Sequence, residues 1–278
     1  MKIVSVIIPS RNEVFLQKTI LDLLTKAKGE IEIIAVLDGY WVENIVDDPR
    51  VIYLHLGAPR GMRNAINSGA AIAGGKYLMK CDAHCMFDSG FDTKLAADCE
   101  KDWVVVPRRY ALNPEKWQLF DNPKYPIDYM YLSPTLHGVV WDKKNKNPKL
   151  KKKLIDDTMS AQGSCWFMYR DYFHELELED EENYGTFSNE FQEVGLKCWL
   201  SGGRVVVNKK TWYAHLHKDK EMGRGYTLSG SEIQKATDYT KRWLGNTAWH
   251  KQTLPFTWLV EKFWPVPDWP EDRSLWQL

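Results

Sequence analysis

Short β-branched apolar runs alternate with helical spacings through the first 85 residues, and each run ends on polar residues. Ile3 to Ile8 is one such run, closed by Pro9. Phe15 to Thr25 follows, with Leu16, Ile20, Leu23 and Leu24 at helical spacing. Ile31 to Leu37, ending at Asp38-Gly39, and Val51 to Leu54 repeat the strand pattern. From Met62 to Ala73 small apolar residues recur on one helical face until Gly74-Gly75 stops it. Lys76 to Met79 then runs into Cys81-Asp82-Ala83-His84. Runs this apolar are strands buried on both faces. Their βαββαβ order predicts an α/β fold, Rossmann-like, with a central, mostly parallel sheet flanked by helices. Ligands of such sheets sit beyond the carboxyl ends of the strands. Here those ends carry Pro9-Ser10-Arg11-Asn12-Glu13, Asp38 and Asp82-Ala83-His84.

The rest of the chain is less periodic. Trp103 to Pro107 reads as a strand, and Leu112 to Asp157 as long connections rich in Pro, Asn and aromatic residues. Order resumes with a strand at Trp166 to Tyr169 and a short helix from Arg170 to Leu176. Phe187, Phe191, Val194 and Cys198 mark one helical face that stops at Gly202-Gly203. Two strands, Arg204 to Asn208 and Trp212 to His217, precede a helix from about Glu232 to Leu244. The segment from Trp264 to Pro270 holds too many prolines for a helix or a central strand.

Composition removes some classes of function. Lys+Arg and Asp+Glu are both 37, so net charge offers no global argument for nucleic acid or membrane. Five cysteines, an odd number without disulfide or zinc spacing, point to free thiols and a reducing compartment. No window offers ~18 uninterrupted apolar residues, and the N-terminus lacks the pattern of a signal peptide. The expectation is a cytoplasmic protein without a membrane span.

Asp82 and His84 are two apart at a strand end, so an extended backbone projects both to one side. A carboxylate with an imidazole can hold a divalent metal, and the mixed O/N set suits Mn²⁺ better than Mg²⁺. His215 and His217 form a second candidate pair, which equally reads as a solvated or hydrogen-bonded pair. Glu190, Glu193 and Lys197 share a helix face opposite the apolar stripe, and by spacing alone they read as a solvated ion-pair face.

Together these stretches resemble the family 2 glycosyltransferases of the GT-A type, most closely the catalytic domain of polypeptide N-acetylgalactosaminyltransferases. Val4 to Glu13 is similar to the family's opening strand and nucleotide loop, and Glu32 to Asp38 to its second strand, whose closing Asp meets the nucleobase. Gly61 to Gly69, then Lys76 to Cys85, resembles the stretch that ends in an Asp-x-His metal motif. Phe187 to Glu193, through Gly203, aligns with the Trp-Gly-Gly-Glu-Asn-x-Glu motif and its closing Trp-x-x-Gly-Gly. Ala214 to Lys218 resembles Gly-His-Val-Phe-Arg. The resemblance covers Val4 to Leu244. It implies a GT-A domain over 1–245, with a nucleotide-sugar half over 1–107 and an acceptor half over 108–245, followed by a Trp/Pro-rich extension over 246–278 packed on it.

It also implies a division of labour. Asp82, His84 and His215 would hold Mn²⁺ or another divalent cation, His217 being the alternative third ligand. Pro9, Ser10, Arg11, Glu13, Asp38, Arg63, Asp82 and Ala83 would bind a UDP-sugar. Glu190, Glu193 and Lys218 would be catalytic, Glu190 meeting the donor sugar and Lys218 the diphosphate. Three departures stand out: Arg63 is one position off the family's place, Phe187-Ser188-Asn189 replaces Trp-Gly-Gly, and Phe191 stands where inverting relatives carry an Asp base. A retaining reaction is favoured, with Glu190 as base of an inverting one the alternative. The acceptor stays open between protein, glycan, small molecule and nucleic acid. Seven lysines between Lys143 and Lys153 suit a polyanion, such as DNA with a modified base stacked on Trp117, Tyr125 or Tyr129. Rival readings are a non-catalytic nucleotide-sugar binder and a nucleotidyltransferase.

Overall fold

The computed structural model describes residues 3–120, 126–218 and 226–276. The N-terminal alternation folds as β1 (Val4–Ser10), α1 (Leu16–Lys26), β2 (Ile31–Asp38), β3 (Val51–Leu56), α2 (Met62–Ile72) and β4 (Tyr77–Cys81). β5 (Cys85–Phe87), α3 (Phe91–Asp98) and β6 (Trp103–Asn113) follow. The aperiodic middle holds only short pieces: β7 (Gln118–Leu119), β8 (Met130–Leu132), β9 (Gly138–Val140), α4 (Asp142–Asn145), α5 (Pro148–Lys151) and β10 (Ile155–Asp157). Longer elements then return: β11 (Cys165–Tyr169), α6 (Arg170–Glu175), α7 (Glu181–Tyr184), α8 (Glu190–Leu200), β12 (Arg204–His215), α9 (Gly230–Lys241) and α10 (Phe256–Phe263).

Among the described residues the main sheet runs β10-β12-β6-β11-β4-β1-β2-β3. β1 pairs in parallel with β2 on one side and β4 on the other. The winding therefore reverses between β1 and β4, and the crevice at such a reversal is where ligands bind. β11 lies antiparallel between β4 and β6, and β12 is parallel to β6. β1 alternates between two cores. Val4, Val6 and Ile8 face α1 and α3, while Ile7 faces α2, α8 and the C-terminal segment. The small residues of α2 are a packing requirement. A Cβ on Gly69 would lie 2.7 Å from Ile7 Cγ2, so the helix approaches the sheet closer than an ordinary side chain permits.

One expectation needs correction. Arg204 to His217 is one strand as far as His215, with an irregularity between Asn208 and Trp212 where two strands were expected. The Trp/Pro-rich end contains a helix, α10, whose Phe256, Leu259, Val260 and Phe263 are buried in the main core. Its indoles are partnered as burial demands: Trp269 donates to Leu132 O at 2.7 Å and Trp276 to Pro270 O at 2.8 Å. All five cysteines are buried and free. No helix among the described residues is long and apolar enough to cross a membrane.

Candidate active site

A cleft of about 770 Å³ opens over the ends of β1, β2 and β4. β1 delivers Pro9, Ser10, Arg11 and Glu13 to its wall, and β2 delivers Asp38. Asp38 is buried, accepting hydrogen bonds from the amides of Arg60 (2.6 Å) and Gly61 (3.0 Å). It lies 3.9 Å from Arg11. Its neighbour Ser10 shares a 2.5 Å hydrogen bond with the hydroxyl of Tyr40.

Asp82, Ala83 and His84 follow β4 directly, and β12 ends at His215 beside them. One ligand atom from each of Asp82, His84 and His215 falls within 4.8 Å of the others. Asp82 Oδ2 lies 3.1 Å from His215 Nε2 and 3.9 Å from His84 Nε2, so two imidazole nitrogens face one carboxylate oxygen. This donor set fits a divalent cation. Burial pushes the pKa of His215 down to about 4, which keeps the ring neutral and its lone pair available near pH 7. His84 Nδ1 lies 3.2 Å from Glu13 Oε2. A carboxylate there fixes the tautomer that leaves Nε2 free as a ligand. Glu13 also accepts from Lys218 Nζ at 2.5 Å, and together His84 and Lys218 hold its pKa below the ordinary value against its burial. His217 is not in this triad. Its ring stands edge-on to His215, with centroids 4.8 Å apart, and its Nε2 is 3.2 Å from Arg109.

Glu190 opens α8 after Asn189, whose φ of 61° turns the chain into the helix. Its carboxylate faces the cleft yet is tightly held. Trp166 Nε1 donates to Oε1 at 2.8 Å and Lys80 Nζ to Oε2 at 2.9 Å. Gly163 makes room for it, since a Cβ there would come within 2.5 Å of Oε2. Lys80 also donates to Asp82 Oδ1 at 2.8 Å and to Gly163 O at 2.7 Å, so one buried ammonium joins a metal-site carboxylate to Glu190. Those carboxylates raise the pKa of Lys80 against its burial. Burial raises that of Glu190, with Lys80 opposing. Lys80 was missed by sequence reasoning. The available signal is a lysine in the otherwise apolar strand Tyr77–Cys81, where a buried charge requires a partner.

Other expected site residues lie elsewhere. Arg63 has no exposed surface, and its guanidinium is ion-paired to Glu179 and Glu193 and donates to Ser188 O at 2.8 Å. Turned away from the cleft, it cannot reach a nucleotide. Glu193 is equally enclosed, held by Arg63, by Lys197 at 2.8 Å and by the amide of Asp180 at 3.0 Å. It therefore cannot touch a substrate. The face expected to be solvated is thus buried: Glu190 is 8%, Glu193 0% and Lys197 2% exposed. Tyr129 is buried, bonded to Asp156 (2.7 Å) and Lys209 (2.6 Å), and has no face free for a base. Trp117 stacks on Phe15. Tyr125 lies outside the described residues. Lys143–Lys153 lines no part of the cleft. β10, which follows the run, pairs with Val206–Asn208, some seven residues of strand before His215. At ~3.3 Å per residue that is roughly 20 Å from the triad.

Comparison with known proteins places this geometry. Residues 5–177 match the family described as Glycosyl transferase family 2. Human polypeptide N-acetylgalactosaminyltransferase 18 is 25% identical over 159 residues, which is 54% of this chain and 24% of that protein. The chain thus corresponds to about a quarter of the length of this curated relative. In fold, 94% of the chain superposes on 57% of the GalNAc-T7 chain, solved with UDP, GalNAc and Mn²⁺, at TM-score 0.70 and 16% identity. S. aureus TarS 1-349, solved with UDP-GlcNAc, is matched at TM-score 0.57 and 15% identity, over 90% of this chain and 68% of that one.

Proposed function

Because the chain belongs to glycosyl transferase family 2, we propose that it moves a sugar from a UDP-sugar to an acceptor hydroxyl with retention of configuration, using a divalent cation bound by Asp82, His84 and His215. The convergence of those three ligand atoms within 4.8 Å, in the crevice where the sheet reverses its winding, carries the reading. The solved GalNAc-T7, which superposes on this fold, holds UDP and Mn²⁺. When bound, the cation supplies Lewis-acid stabilisation of negative charge on the leaving diphosphate.

The chain's own residues do the rest. Ser10, Arg11 and Asp38 sit at the strand ends that receive the nucleoside, and Glu13 holds both His84 and Lys218 in place. Lys218, once it exchanges Glu13 for the donor, adds a positive charge beside the diphosphate. Glu190 orients the donor sugar. Both its oxygens already accept from Trp166 and Lys80, so it is poorly placed to take a proton, and Phe191 cannot take one. This supports retention, with the leaving diphosphate receiving the acceptor's proton. The GT-A domain of residues 1–245 forms the cleft, and the residues after it brace α8.

The test is a donor screen for nucleoside diphosphate release with Mn²⁺ and with chelator, paired with anomeric analysis of the product. Metal-dependent UDP release and a retained anomer are expected. Release of inorganic diphosphate would instead mark a nucleotidyltransferase, and an inverted anomer would return Glu190 to the role of base.

A further inference from the structure

We propose that Arg109 forms the base of an anion subsite behind the cleft wall, and that the acceptor carries a carboxylate or phosphate beside the hydroxyl that receives the sugar. The proposal rests on the reading of the cleft as a UDP-sugar transferase site.

Arg109, on β6, is 5% exposed. Among the described residues its guanidinium meets only uncharged or imidazole partners: the side-chain oxygen of Gln162, His217 Nε2 at 3.2 Å and Met130 Sδ at 3.7 Å. Arg63, the other buried arginine, and the part-buried Arg108 are neutralised. Arg63 has Glu179 and Glu193, and Arg108, the adjacent residue, is clasped by Asp128 at 2.7 and 2.8 Å. A buried cation without a counter-charge is costly, and an apolar side chain would fill the same space without that cost. Arg109 is therefore explained by an anion that arrives.

The route is short. Gln162, His217 and Met130, the three partners of the guanidinium, all line the cleft. Gln162 belongs to the loop before β11, and Met130 to β8. β11 borders β4 on the side away from the strand ends that carry Ser10 and Asp38, and Met130 bridges Ser160 in the loop before β11. Arg109 itself lies behind this wall, in a small pocket it shares with Gln162 and Met130, and His217, which packs on His215, links it to the triad. The Gln162 amide oxygen, which also accepts from Ser164 Oγ at 3.1 Å, stands where an anionic oxygen would sit. A rotation of the Gln162 side chain exchanges one for the other.

Calorimetric titration of inorganic phosphate into protein saturated with UDP and Mn²⁺ tests this, using wild type, Arg109→Met and Gln162→Glu. Saturable binding is expected in wild type and at least tenfold weaker binding in both variants, because Gln162→Glu places a tethered carboxylate on the guanidinium. Gln162→Glu should also melt higher than wild type, and it serves if Arg109→Met does not fold. UDP affinity should stay within twofold in Arg109→Met. Acetate in place of phosphate distinguishes the two anion classes by whichever binds more tightly. No phosphate binding in wild type, or equal binding in Arg109→Met, overturns the subsite. Loss of UDP binding in Arg109→Met assigns the arginine to the donor diphosphate and overturns the acceptor role. Failure of wild type to bind UDP with Mn²⁺ appears before phosphate is added, and it removes the underlying reading together with this one.

Discussion

Replacing Lys80 by Met removes a fully buried ammonium that donates to Asp82 at 2.8 Å, to Glu190 at 2.9 Å and to Gly163 O at 2.7 Å. The volume is nearly kept, so the loss is electrostatic. Two carboxylates that shared one cation are left facing each other. Breaking a buried pair from one side costs about 3–5 kcal/mol. For a chain of this size that corresponds to a fall in Tm of about 6–10 °C. Two finer outcomes follow from the shared ammonium. Glu190→Gln, added to Lys80→Met, should restore part of the loss, with a coupling of at least ~1 kcal/mol in the double-mutant cycle. The deficit should also depend on pH with a fixed sign. Glu190 is raised above its ordinary 4.5 by burial, and Lys80 is the main force opposing the rise. A carboxylate with a raised folded pKa contributes stability that is full below the unfolded value and is lost as pH rises through the folded one. Without Lys80 that folded value climbs, so the Lys80→Met deficit should deepen from about pH 4.5 toward neutrality. Urea denaturation of the metal-free proteins at several pH values measures all three. A cost under ~1 kcal/mol, or additivity within ~0.5 kcal/mol, would refute the shared-cation account.

Other outcomes follow from the same geometry. Glu13→Gln should weaken Mn²⁺ binding by about tenfold or more, because the negative charge that faces His84 Nδ1 and raises the basicity of its Nε2 is lost; isothermal titration reads it directly. Gly69→Ala should destabilise by roughly 1–2 kcal/mol in thermal melts, despite the helix propensity it gains, because the new Cβ meets Ile7 at 2.7 Å. Serine at Lys149, Lys151, Lys152 and Lys153 together should leave UDP release within twofold, since no residue of that run lines the cleft; a larger loss would bring the run into the reaction.

The alternating N-terminal half was legible because buried parallel strands and amphipathic crossover helices each write a distinct period. Strand ends marked by Asp38 and Asp82 followed from the same pattern. The triad needed more than spacing: His215 lies 133 residues beyond Asp82, and only the family resemblance linked them before the fold paired the end of β12 with β5, next to Asp82 and His84. Charged residues misled where burial reversed their meaning. Glu193, Lys197 and Arg63 carry the composition of a wet surface, yet they neutralise one another inside the core. Lys80 and Arg109 went unnoticed for a related reason, since a lone cation in a strand does not announce its partner, or its lack of one. α10 was hidden by the neighbouring prolines. Its helical face becomes apparent only when α8 is there to receive it.

The most direct test of the central claim is Mn²⁺ binding in the presence of UDP, followed by electron paramagnetic resonance, in wild type, His215→Ala and His217→Ala. The account predicts one bound ion per chain in wild type, affinity reduced at least a hundredfold by His215→Ala, and little change with His217→Ala. Absence of a bound ion in wild type, or loss confined to His217→Ala, would contradict the assignment of Asp82, His84 and His215 as the metal site.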